Sequence, residues 1–230
     1  MKKIVCSSDE VNEIESEIEI QKQLSSSQYQ VKLYDVAKLP QGQDEFKYYL
    51  FMEFAGKKTG SVAISELNYL PSKRLVKLQT RLLARHYILA VAELHDHHKF
   101  HLDIKPENFL HESTHIRKLK TKLGDFGLAS SDPAFFQVLG TAGFFPPEIA
   151  QYRWKALKSM RVFGKNIYLE ELPTNYDNQK RDAWSLGMLL LWLKYKGRMD
   201  QVYSNSVLEV TRKQPNSNNI YKERIPLAIL

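Results

Sequence analysis

The sequence HLDIKPENFL spans residues 101–110, and LGDFGLA follows at residues 123–129. Asp103 and Lys105 are two residues apart, so in an extended loop both side chains face the same cleft. Gly127, two residues after Asp125, gives the second stretch backbone freedom that other residues lack. The first stretch therefore predicts a loop that presents a carboxylate and an ammonium group to one cleft, and Asn108 and Asp125 add an amide and a second carboxylate to the two stretches.

Outward from these loops, predicted strands and helices are segregated along the chain. Apolar residues at helical or alternating spacing are the signal for each element. The pattern predicts a helix over residues 9–24, strands over 31–39 and 46–54, a loop over 55–61, a helix from Lys73 to about His97, short strands near Leu110 and over 119–123, and a buried helix over 182–195. A small strand-and-helix part followed by a mainly helical part predicts the α+β class.

Composition excludes several classes of protein. The chain has 230 residues, of which 43% are hydrophobic, enough for a sizeable core, so a largely disordered chain is excluded. No apolar run reaches the roughly 18–20 residues of a membrane span, and the N-terminus lacks the apolar segment of a signal peptide. Cys6 is the only cysteine, which excludes an intramolecular disulfide. We expect an intracellular, cytoplasmic protein.

The formal net charge is +7, which is compatible with phosphate ligands, nucleic acid or an anionic membrane surface. The chain contains no polybasic block of the kind found in nucleic-acid-binding arms. We therefore expect no specific nucleic-acid partner and no membrane span.

Two further motifs, GTAGFFPPE at 140–148 and DAWSLG at 182–187, complete an ordered set with the first two. In this order and context the set resembles the eukaryotic-type protein kinase family, from Lys2 to about Tyr195. The resemblance implies a bilobal fold reduced at both ends, with a truncated N-lobe over residues 1–54 and a C-lobe over 55–230. It also implies a serine/threonine protein kinase that uses ATP and Mg²⁺ and acts on protein substrates.

The resemblance assigns roles to residues of the two central motifs and of GTAGFFPPE. Asp103 matches the catalytic base, Lys105 the cation that stabilises the transferring phosphoryl group, and Thr141 the threonine that braces the aspartate. Asn108 and Asp125 match the two positions that hold magnesium, for which oxygen ligands are suited. Asp182, at the start of the predicted buried helix, matches an aspartate that anchors the catalytic loop.

The resemblance also implies a nucleotide site upstream of these motifs. Lys2, with Lys3 as the alternative, matches the lysine that holds the α- and β-phosphates, and Glu17 matches its glutamate partner. Met52 falls at the gatekeeper position. The backbone from Glu53 to Ala55 would bond the adenine, and Leu110 would lie beneath it.

Several positions depart from the family pattern. The chain has no GxGxxG loop, Leu102 replaces the arginine of H-R-D, and Gln21 follows one turn after Glu17 where an apolar residue is usual. The family's partner arginine for Glu148 has no obvious candidate. Three hypotheses follow: an active kinase, a pseudokinase that acts as a binding or scaffold protein, and a fragment of a longer kinase.

Residues at about 150–180 form an insert relative to the family. Its first half is basic and aromatic, which suggests a docking surface for a partner or a surface that binds inositol phosphates, whereas an inserted helix and loop is the simpler interpretation. Short kinase-like chains also resemble some secreted bacterial effectors, but no targeting signal supports that alternative.

Overall fold

The computed structural model describes residues 1–42, 44–113, 119–153 and 176–198. Its first sheet contains three antiparallel strands, β1 (Lys2–Ser7), β2 (Leu33–Pro40) and β3 (Glu45–Met52), in the order β1-β3-β2. Helix α1 (Val11–Gln23) connects β1 to β2. Alternate residues of β3, Tyr48 and Leu50 among them, are buried, as expected for strands with one face against a core.

The second sheet is also antiparallel and lies later in the chain. It consists of β4 (Lys58–Thr59), β5 (Phe109–Ser113) and β6 (Lys120–Leu123). Helix α2 (Gly60–Glu66) follows β4, α3 (Lys73–Asp96) follows α2, and α4 (Asn178–Lys194) is the last helix of the described residues. Residues 147–153 are helical as well.

Each sheet belongs to its own apolar cluster. The smaller cluster joins the first sheet to α1 and includes the buried residues Cys6, Ile18, Leu33, Tyr48 and Leu50. The larger cluster joins α3 and α4 to β5 and β6, and its buried members include Leu83, Leu94, Phe109, Leu123 and Leu189. The predicted α+β class is therefore confirmed, and the polar loops predicted from the sequence lie at the edge of the larger cluster.

Several predicted boundaries were wrong, two of them early in the chain. The first helix begins at Val11 rather than residue 9, because a 3₁₀ turn over Ser8–Glu10 precedes it. The predicted loop over 55–61 ends early, since α2 begins at Gly60. Gly60 lies so close to the Pro106 carbonyl that a Cβ would come within 2.6 Å of it, so this glycine serves close packing rather than a loop.

The predicted division into residues 1–54 and 55–230 agrees with the position of the first sheet but stays a prediction. Most of the predicted insert, residues 154–175, lies outside the described residues. Among the helices that the structure describes, none combines the length and the apolar character needed to cross a membrane.

Candidate active site

Asp103, Lys105 and Thr141 form one hydrogen-bonded group. The Lys105 Nζ atom lies 2.7 Å from Asp103 Oδ2, and Thr141 Oγ1 donates to Asp103 Oδ1 at 2.7 Å. Lys105 also donates to Thr141 Oγ1 at 2.9 Å. Burial disfavours the charge of Asp103, but the hydrogen bonds from Lys105 and Thr141 outweigh it and lower the pKa of the carboxyl group. The carboxylate is therefore ionised at neutral pH.

A buried aspartate of α4 holds the loop that carries Asp103. Asp182 Oδ1 accepts from the Leu102 N–H at 2.8 Å, and Oδ2 accepts from the His101 N–H at 2.7 Å. The ring of His95 lies 3.0 Å from the same Oδ2 atom. We predicted that Asp182 opens the helix, which was wrong: Asp177 caps α4, and Asp182 lies in its second turn. Its charge is thus stabilised by N–H groups of the loop rather than of its own helix.

The predicted metal-binding residues, Asn108 and Asp125, are brought together by Gly124, which bonds to the first and precedes the second. The Asn108 side-chain nitrogen donates to the Asp103 carbonyl at 2.8 Å, which leaves the amide oxygen to bind a cation. The Gly124 N–H donates to the Asn108 carbonyl at 2.9 Å. Asp125 follows directly, with a φ angle of 63° and a side chain that is 57% exposed. An accessible carboxylate and an amide oxygen fit the ligand preferences of Mg²⁺.

Lys2 connects α1 to the second loop. Its Nζ atom lies 2.7 Å from Glu17 Oε1 and 3.4 Å from Asp125 Oδ1. Burial disfavours the Lys2 charge, but the hydrogen bond and charge of Glu17, helped by Asp125, raise the pKa of Lys2. Lys3, the alternative, is exposed on the other face of the strand. The structure therefore brings Lys2, Glu17 and Asp125 together and leaves Lys3 out.

The remaining predicted nucleotide residues lie at the end of β3 and on β5. The Glu53 N–H donates to the Lys32 carbonyl at 2.8 Å, so it is already occupied, and the Glu53 carboxylate pairs with Lys122 at 3.1 Å. Met52 Sδ accepts a hydrogen bond from the Gln21 side chain at 3.5 Å. Ala55 is buried. Leu110 is half-buried on β5, where it pairs with Thr59 of β4 and Lys122 of β6. Their roles stay predictions.

Two residues that depart from the family pattern have partners in the structure, and one residue of the site was missed from the sequence. Gln21 is 1% exposed and donates to the Val31 carbonyl at 3.2 Å, so its polar nitrogen is satisfied. Glu148, for which the sequence offers no obvious arginine partner, is exposed and accepts from the Tyr176 hydroxyl at 3.0 Å. Arg181, which no motif singled out, is 1% exposed and donates to three backbone carbonyls.

The arrangement contains two groups of charged side chains. The first is the Asp103 carboxylate beside Lys105, and the second is Lys2 with Glu17 and Asp125. The first group can orient a hydroxyl and stabilise negative charge next to it. The second presents an ammonium and a carboxylate, the groups that hold phosphate oxygens and a divalent cation respectively. These are groups of the kinds that phosphoryl transfer uses, on the bilobal α+β fold that the sequence predicts.

Comparison with known proteins identifies the family. The family model described as protein kinase domain matches residues 1–224. The chain therefore belongs to the protein kinase family.

The chain is also similar to several curated serine/threonine-protein kinases. It is 30% identical over 154 residues to the stk11 homolog of Dictyostelium discoideum, and 28% identical over 156 residues to nekl-2 of Caenorhabditis elegans; both matches cover 64% of this chain. It is 26% identical over 201 residues to ksp1 of Schizosaccharomyces pombe, over 84% of this chain. The matches span 22%, 34% and 38% of these relatives, so the chain corresponds to a minor part of each.

A solved structure supports the fold. A chain of the CAK complex from Chaetomium thermophilum, bound to ATP-gamma-S, matches with a TM-score of 0.57 and 20% identity. The match covers 80% of this chain and 48% of that one. At this identity the likeness supports the fold alone.

Proposed function

We propose that this chain is a serine/threonine protein kinase that transfers the γ-phosphate of ATP to hydroxyl groups of proteins. The observation that carries the proposal is the hydrogen-bonded group of Asp103, Lys105 and Thr141 beside Asn108 and Asp125. The curated relatives are serine/threonine-protein kinases by name, and the structural neighbour carries an ATP analogue. Both facts favour ATP as the donor.

In this proposal Asp103 orients the acceptor hydroxyl and takes its proton. The carboxylate suits this role because its lowered pKa keeps it ionised, and because Thr141 and Lys105 restrict its orientation. Lys105 lies beside Asp103 at 2.7 Å, and its charge would offset negative charge on the transferring phosphoryl group.

Lys2, Glu17, Asn108 and Asp125 supply the donor side of the site. Lys2 would bind phosphate oxygens, and Glu17 holds its ammonium group at 2.7 Å. The Asn108 amide oxygen and the Asp125 carboxylate would hold Mg²⁺. When bound, the ion neutralises charge on the phosphate oxygens.

A labelled-phosphate transfer assay tests the proposal. The wild type, with Mg²⁺ and γ-labelled ATP, is expected to label a mixed protein substrate on serine and threonine. Asp103→Asn and Asp125→Asn should each lower the rate by at least about 100-fold. Asp96→Asn, an exposed carboxylate at the end of α3, is the matched control and should change little. A folded wild type with no transfer, or transfer that survives Asp103→Asn, would contradict the proposal.

Nucleotide binding without transfer is the second candidate. It is favoured by two buried residues that depart from the family pattern, the apolar Leu102 in place of an arginine and the polar Gln21 one turn after Glu17. ATP binding by a wild type that transfers no phosphate, lost in Lys2→Met, would favour this candidate.

A further inference from the structure

Arg181 is a buried arginine between two segments of the cleft. It lies on α4, one residue before Asp182, and is 1% exposed. Its NH1 group donates to the Gln137 carbonyl at 2.9 Å. Its NH2 group donates to the Leu139 carbonyl at 2.8 Å and to the Leu102 carbonyl at 3.1 Å. One guanidinium thus joins the loop before Asp103 to the segment before Thr141.

The two terminal nitrogens of the Arg181 guanidinium are satisfied by carbonyls, whereas Nε has no partner in the described part of the chain. A buried charge is costly unless hydrogen bonds satisfy it, and within the described ranges no carboxylate lies at ion-pair distance from Arg181. The planar group presents several donors in a rigid fork, so it reaches carbonyls on two segments at once. A lysine at residue 181 has a single donor centre and would not span both.

The contact acts directly on the geometry around Asp103. Gly140, between Leu139 and Thr141, has a φ angle of +103°, and a Cβ there would lie 3.1 Å from the Leu102 carbonyl and 3.5 Å from Arg181 NH2. The two segments therefore approach closely at this point. Thr141 follows immediately and donates to Asp103, so the position of Thr141 depends on how the segment before it is held.

Leu102 cannot supply such a contact from its side chain. It is 2% exposed and apolar, and only its backbone takes part, through the N–H to Asp182 and the carbonyl to Arg181. All three acceptors of Arg181 are backbone carbonyls, so the contact needs no charged group on the segment.

We propose that Arg181 is a positioning residue for phosphoryl transfer. It holds residues 137–141 against the loop at Leu102. In this way it keeps Thr141 and Lys105 around Asp103 without a phosphate on that segment. The inference rests on the proposed kinase function. It assigns to α4 a role that the four sequence motifs did not indicate.

Steady-state kinetics of Arg181→Met, Arg181→Lys and the control Lys180→Met test the proposal. Lys180 is the adjacent residue, its side chain is 84% exposed, and within the described ranges its ion pair is with Asp177. We expect Arg181→Met to lower kcat by at least about tenfold, with the KM for ATP changed by less than about twofold, because Lys2 and Asp125 lie elsewhere. Arg181→Lys should recover part of the loss, and Lys180→Met should behave as wild type.

Hydrogen exchange of the backbone amides of residues 137–145 provides a readout without activity. Exchange there should be at least about tenfold faster in Arg181→Met than in Lys180→Met, with the amides of α3 unchanged. Should Arg181→Met not fold, the same comparison is made with Arg181→Lys. Equal exchange in this segment overturns the proposal, as does wild-type kcat in a folded Arg181→Met.

The same experiments separate failure of this inference from failure of the proposed function. A wild type that transfers no phosphate contradicts the kinase function, and the exchange comparison then decides whether Arg181 holds the segment. In an active wild type, prior treatment with a phosphatase should change kcat by less than about twofold. Loss of activity after that treatment would overturn the claim that no phosphate is needed.

Discussion

At the scale of single residues, Lys2 and Lys3 are neighbours in sequence with different surroundings. Strand alternation places them on opposite faces of β1. Lys2 meets the Glu17 carboxylate, which is 5% exposed, and the Asp125 carboxylate, whereas Lys3 is exposed. Composition alone did not separate them, since both are lysines at the start of a strand.

Replacing each lysine separately tests which one serves the nucleotide. We expect Lys2→Met to lower kcat/KM for ATP by at least about tenfold, because it removes the ammonium and leaves Glu17 buried without its partner. Lys3→Met should stay within about twofold of wild type. Steady-state kinetics at varied ATP concentration measure both effects. A larger loss in Lys3→Met would reverse the assignment.

At the scale of elements, β5 carries a buried histidine that links three of them. His111 is 0% exposed; its Nε2 atom lies 3.2 Å from the Tyr87 hydroxyl on α3, and its Nδ1 atom lies 3.1 Å from Thr121 Oγ1 on β6. Burial, with a smaller contribution from His86, lowers the pKa of His111 to about 4. The sheet therefore packs against α3 through a neutral imidazole.

This histidine makes stability depend on pH. The pKa of His111 is 6.5 when the residue is exposed in the unfolded state and about 4 in the folded state. The stabilisation that results is therefore fully present above pH 6.5 and is lost as the pH falls toward 4. Over this interval His111 lowers the free energy of unfolding by about 3 kcal/mol. His86, whose pKa is also lowered by burial, acts in the same direction.

Urea denaturation from pH 7 down to pH 4 measures this dependence. His111→Gln lacks the titrating group but keeps polar atoms toward Tyr87 and Thr121, so its stability should fall less over the same interval. The burial that lowers the pKa of His86 is present in both proteins, so the difference between their slopes reports His111 and its interaction with His86. Equal slopes for wild type and His111→Gln would contradict the prediction.

At the scale of the whole molecule, the two sheets are joined by hydrogen bonds and by one short connection. The Val31 N–H donates to the Leu123 carbonyl at 2.8 Å, and the Leu123 N–H donates to the Tyr29 carbonyl at 2.7 Å. The Glu93 carboxylate of α3 accepts from the backbone before β2. The covalent connection passes through Gly56, whose φ angle is +123° and whose Cβ would overlap the His111 carbonyl.

Gly56→Ala tests how much the molecule depends on this close approach. An alanine at residue 56 must adopt a positive φ, and its Cβ must displace the backbone of β5. We therefore expect a loss of about 2 kcal/mol or more in the free energy of unfolding. Gly42→Ala is the control: its φ is +95° with no atom within 4 Å, so only the strain of about 1 kcal/mol applies. Chemical denaturation compares the two variants, and equal losses would contradict the role of the contact.

Much of the site could be predicted because its chemistry lies in contiguous motifs. Asp103, Lys105, Asn108 and Asp125 occur in two short stretches whose order and spacing are specific. Lys2 and Glu17 were harder, because each has similar neighbours and only the packing of α1 against β1 selects one. Element boundaries erred where a local contact intervened, as at Gly60 beside the Pro106 carbonyl.

The sequence by itself determined the α+β class, the order of the longer strands and helices, and the loops that carry the candidate catalytic groups, because periodicity and motifs are local properties. Only the tertiary structure decided the roles of Arg181 and Tyr176. Arg181 binds backbone carbonyls near residues 102 and 139, and Tyr176 binds Glu148 from a distant part of the chain. Backbone carbonyls have no sequence signature, so a residue that acts through them becomes visible only when the chain has folded around it.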